Sequence, residues 1–71
     1  MNCEELKKIT GMRRGTFIKQ KDWNGFEMFK YVPDGDGPNE PYIYKDNRAR
    51  RMTQEEFIAM LSDMARGKYE P

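Results

Sequence analysis

The chain opens with a helical spacing. Leu6 and Ile9 stand three apart behind Asn2-Cys3-Glu4-Glu5. Asn2 suits a helix cap and Glu5 the reciprocal position of a capping box. Gly11 is a natural stop. A short helix of roughly two turns is predicted, too short to persist alone, so Leu6, Ile9 and Met12 must dock on something. The period then drops to two. Strands are predicted over 16–21 and 26–32, joined through Asp22-Trp23-Asn24-Gly25, because Asn-Gly tolerates the positive φ of a tight hairpin. In the second strand Phe26, Met28, Lys30 and Val32 share one face, while Glu27, Phe29 and Tyr31 share the other. Both faces are partly apolar, so the pattern does not say which is buried. Residues 33–41 hold three prolines and two glycines and read as a loop. A third strand is predicted over 42–45, a two-residue turn at Asp46-Asn47, and a fourth strand over 48–52.

The second helix is the clearest signal. Thr53-Gln54-Glu55-Glu56 is a capping box. Phe57, Met60, Leu61 and Met64 then fall on one face, predicted to be buried. The helix should run over 54–66, with Gly67 ending it and Arg66 suiting the C-terminal dipole. Residues 68–71 read as a flexible tail. The order is α-β-β-β-β-α. It predicts one α+β domain over 1–67, with a three- or four-stranded antiparallel sheet packed by a short N-terminal and a longer C-terminal helix.

Composition sharpens this picture. Charged residues make up 35% of the 71, and mean hydropathy is −1.05, values typical of disorder. Aromatic residues, however, reach 13% and occur in patterned segments, which favours a folded domain with a thin core. Thirteen basic and twelve acidic residues leave a net charge of +1, so charge alone does not call for a polyanion. One cysteine permits no internal disulfide, and no apolar run is long enough to span a membrane. An intracellular, cytoplasmic protein is the default expectation.

The chain is poor in catalytic signals. Histidine is absent, which removes the usual general base and the Ser-His, Cys-His and most zinc arrangements. Cys3 would sit in a helix's first turn, where the dipole lowers a thiol's pKa, but a small buried or incidental residue near a terminus is the reading favoured over a reactive thiol. Asp34-Gly35-Asp36-Gly37 resembles the start of a calcium loop, yet it lacks the full spacing and the terminal bidentate Glu. Glu55 and Glu56 are adjacent, so they point to different sides of a helix and do not form a catalytic pair. No enzymatic activity, metal or cofactor is expected.

Two surfaces could bind a partner. If Phe26, Met28 and Val32 face the helices, then Phe29 and Tyr31 face outward, and with Trp23 beside the turn they would anchor a protein partner. A sheet covered on both sides would put all three in the core instead. Lys45, Arg48, Arg50 and Arg51, near Tyr42 and Tyr44, form a second surface. Arginine forks match phosphate and aromatic rings stack on unpaired bases. The bland alternative is a solvated strand edge whose basic residues discourage aggregation. Arg48 and Arg50 would share a face and Arg51 oppose them.

Trp23-Asn24-Gly25, followed by Met28-Phe29 and then Pro41-Tyr42-Ile43, resembles the phage Thoeris anti-defence proteins over about residues 4–44. Those have a short helix and a basic strand leading into a Trp-Asn-Gly turn. That family sequesters cyclic nucleotide signals between subunits. The resemblance implies a homodimer with a nucleotide ligand near Trp23 and Asn24. The expectations are thus ordered. First comes a non-enzymatic protein-binding module, by analogy a phage or mobile-element protein that modulates or inhibits a host defence machine. Second comes nucleic-acid binding through the arginine run. Third comes nucleotide sequestration at a homodimer seam.

Overall fold

A computed structural model describes residues 2–71. Helix α1 spans Cys3–Thr10, and four strands follow: β1 (Gly15–Lys19), β2 (Glu27–Pro33), β3 (Glu40–Lys45) and β4 (Arg48–Arg51). Helix α2, Gln54–Ala65, completes the fold. The strands form one antiparallel meander in the order β1-β2-β3-β4. The domain is therefore α+β, as the pattern predicts.

Each element forms for a local reason. Asn2 Oδ1 accepts from the Glu5 N–H at 2.8 Å and starts α1. Gly11, at φ 71°, stops it in the left-handed region that glycine enters without cost. Asp46 and Asn47 both have positive φ and turn β3 into β4 in two residues. The capping box of α2 is complete: Thr53 Oγ1 accepts from the Glu56 N–H (3.2 Å), and the Glu56 carboxylate accepts from the Thr53 N–H (2.9 Å).

The first hairpin holds an irregularity that decides the core. Lys19 pairs with Phe29, and the Gln20 N–H donates to the Met28 carbonyl. Continued at that register, Trp23 would oppose Gly25. It instead pairs with Phe26, through bonds of 3.0 and 2.9 Å. One extra residue is therefore accommodated between Gln20 and Trp23. Because side chains alternate along a strand, that residue moves Trp23 from the sheet face of Phe17 to the face of Met28.

Both sheet faces are covered. On one, α1 lies against β1 and β4, and Leu6 packs into Phe17, Phe29, Tyr31 and Tyr42. The rings meet edge to face, Phe17 to Tyr42 at 5.4 Å and Phe17 to Phe29 at 6.4 Å. Gly15 is required here, since a Cβ would lie 2.6 Å from both the Tyr31 ring and the Val32 carbonyl. On the other face Trp23, Met28, Ile43, Met52, Met60 and Tyr69 form a second cluster beneath α2.

Three expectations change. Ile9 stays 48% exposed, so Leu6 with Met12 docks α1. Pro33 and Pro41 lie inside strand ends rather than in the loop. The third concerns residues 68–71, expected as a tail. Gly67, at φ 71°, reverses the chain, the Lys68 N–H donates to the Asp63 carbonyl, and Tyr69 enters the second cluster. There its hydroxyl donates to the Lys21 carbonyl at 2.6 Å. The buried ring, its hydroxyl bond and the Lys68 N–H bond together hold the segment against α2 and β1's end.

Candidate functional site

The proposed aromatic anchors are not on the surface. Phe29 and Tyr31 are buried beneath α1, and Trp23 is buried beneath α2. Phe29 and Tyr31 would be exposed only if both helices lay on one face. They lie on opposite faces, and the extra residue in the hairpin carries Trp23 away from the other two. The Trp23 indole N–H donates to Asp63 Oδ2 at 2.8 Å, tying the hairpin to α2. Asn24 remains exposed at the turn.

Of the exposed large apolar residues among the described residues, Ile9 and Ile18 stand singly on α1 and β1, and the other four are on α2. Only Met60 of the predicted buried face is buried. Phe57 is 37% exposed, Leu61 44% and Met64 38%, and Ile58 beside them is 54% exposed. α2 stands off the sheet, linked by Met60, by the Trp23–Asp63 bond and by Arg50. Arg50 Nη1 and Nη2 donate to the Glu56 carboxylate at 2.6 and 2.9 Å. That fork, with the Thr53 N–H, lowers the Glu56 pKa from its ordinary 4.5 to about 2. Between α2 and the sheet runs a groove of about 260 Å³, walled by Phe57, Met60, Leu61, Met64, Pro41 and Pro71, with the polar Gln20, Lys30, Asn39 and Glu40 also lining it. Lys30 has no ion-pair partner among the described residues.

The basic run is divided by the strand period. Lys45, Arg48 and Arg50 come together around a cavity of about 400 Å³ with Phe26, Ile43 and Asp46. Lys45 Nζ lies 5.1 Å from the Phe26 ring centre and the Arg50 guanidinium 5.9 Å. Arg51 is on the opposite face, bonded to Glu40 at 3.2 Å, and does not join them. Tyr42 and Tyr44, named as stacking partners, belong to the α1 face. The aromatic ring among the cations is Phe26, which shares a strand face with Met28; that alternation was legible, but the register joining it to Lys45 was not.

Cys3 is half-buried against the α1 cluster. Glu40 is committed to Arg51. Among the described residues no group of three or more His, Cys, Asp or Glu side chains could hold a metal ion, and no helix is long and apolar enough to cross a membrane. No protein-family model matches the chain, and no curated protein or solved structure matches it.

Proposed function

We propose that this chain is a non-enzymatic binding module that docks a protein partner through the apolar face of α2. The observation that carries the proposal is the exposure of Phe57, Ile58, Leu61 and Met64 on one helix. In a chain that is 35% charged, four adjacent large apolar side chains left in water are the outlier. Covering them returns the transfer free energy that the isolated fold forgoes, about 25 cal/mol per Å². The groove beside them fits an amphipathic segment laid against α2. Lys30 at its margin, which makes no ion pair among the described residues, offers a cation to a segment that carries a carboxylate, the groove's own Glu40 being held by Arg51.

The test is a comparison of wild type with the Ile58→Lys/Leu61→Lys double variant. Both positions are exposed, so the variant should keep its circular dichroism spectrum and lose less than about 1 kcal/mol of stability. A protein captured by wild type and lost by the variant supports the docking face. The same protein retained by the folded variant refutes it. Sedimentation tests the competing occupant: a dimer that the variant dissolves would put a second copy of this chain where the partner is placed.

A further inference from the structure

The cavity beneath the β3–β4 turn has a different chemistry, and the docking face does not explain it. Lys45 and Arg48 are directly opposed across the two strands. Like charges in that position repel and cost stability. Neither makes an ion pair among the described residues, whereas Arg50 is already matched by Glu56. Below them lie the half-buried Phe26 ring and the buried Ile43. Edge protection accounts for cations on β4, which ends the sheet. It does not account for Lys45, which comes from the inner strand β3 and sits over Phe26.

An anion that bridges Lys45 and Arg48 removes their repulsion, and an apolar floor favours an anion that brings a flat ring with it. The sheet ends at β4, so the cavity opens at an edge past which a chain can run. We propose that Phe26, Lys45 and Arg48 form a site for single-stranded nucleic acid, two phosphates meeting the cations and an unpaired base resting on the exposed part of Phe26, which Ile43 backs from the core. Arg50, held by Glu56, serves as a fixed wall. The chain's net charge of +1 makes the interaction local, without a broad electrostatic field around it.

The experiment is fluorescence anisotropy of a labelled twelve-residue oligothymidylate over a salt series. Thymidine monophosphate and inorganic phosphate serve as competitors. Two phosphate contacts on a single strand give a slope of log K against log salt of about −1.4. Lys45→Gln and Arg48→Gln should each weaken binding about tenfold and lower that slope by about 0.7. Arg13→Gln, outside the cavity, should change neither. In wild type, nuclear magnetic resonance signals of Phe26 and Ile43 should shift on titration, a readout that needs no variant. Absence of binding overturns the proposal. So does binding that Lys45→Gln and Arg48→Gln leave intact, or that Arg13→Gln weakens equally. Monophosphate or phosphate bound as tightly as the oligonucleotide overturns the assignment to a strand.

Discussion

Tyr69 gives the sharpest test of the fold, because four C-terminal residues depend on one side chain. Its ring is buried among Trp23, Met28, Ile43, Met52 and Met60, and its hydroxyl donates to the Lys21 carbonyl. Removing a large buried aromatic side chain costs about 3–5 kcal/mol where the surroundings cannot collapse. α2 stands off the sheet and can settle into part of the gap, so Tyr69→Ala should cost about 3 kcal/mol. A domain of this length is stable by only about 4–10 kcal/mol. The variant should therefore lose a third or more of its stability and melt about 12–24 °C lower. Tyr69→Phe keeps the ring and loses the hydrogen bond, at about 1 kcal/mol. Deleting residues 68–71 should match Tyr69→Ala. Burial also raises the phenol pKa above its ordinary 10. The protonated form is the one stabilised by folding, so this contribution holds below pH 10 and declines as pH rises above it. Urea denaturation followed by circular dichroism measures all three. If Tyr69→Ala and the deletion each cost less than about 0.5 kcal/mol, the segment is a tail and α2 is held without it.

Other consequences follow from single contacts. Gly15→Ala should cost about 1–3 kcal/mol by denaturant titration, since the Tyr31 ring and the backbone at Val32 must both move. The Glu56 pKa is lowered to about 2 in the folded chain, so its contribution is present above pH 4.5 and is lost as pH falls toward 2. With Arg50 half exposed, solvent screens the pair, and Glu56→Gln should cost about 1 kcal/mol at pH 7 and progressively less in acid, read from melts at stepped pH. Trp23→Phe should cost about 1–3 kcal/mol, through the lost bond to Asp63 and a carboxylate left without its donor. Arg51→Ala should change stability by less than about 1 kcal/mol, because its partner Glu40 is bound at an exposed edge.

Local chemistry made much of the fold legible. Asn2, Gly11, Thr53 and Glu56 marked the helix ends, and Asn24-Gly25 and Asp46-Asn47 marked both tight turns, because caps and turns act within a few residues. Which face each helix covers was not legible. It depends on long-range packing, and β2 is apolar on both sides. The position of Trp23 depends on one extra residue between Gln20 and Trp23, which no period-two pattern reveals in a stretch of Lys21 and Asp22. The same limit applied to α2. Its apolar stripe has the spacing of a core face, because an amphipathic helix usually buries its stripe. Here Met60 alone reaches the core, and the residues left outside are the candidate site. Arg48, Arg50 and Arg51 were visible as a cluster, but Phe26 joins them only through the sheet register.

A photo-crosslinking residue placed at Ile58 tests the docking face most directly, with a second placed at Lys8 on α1 as the comparison. Irradiation in cells should give one discrete protein adduct from position 58, absent from position 8 and lost when Leu61→Lys is added. Equal adduct patterns from both positions, or an adduct from position 58 that survives Leu61→Lys, would contradict a binding module built on α2.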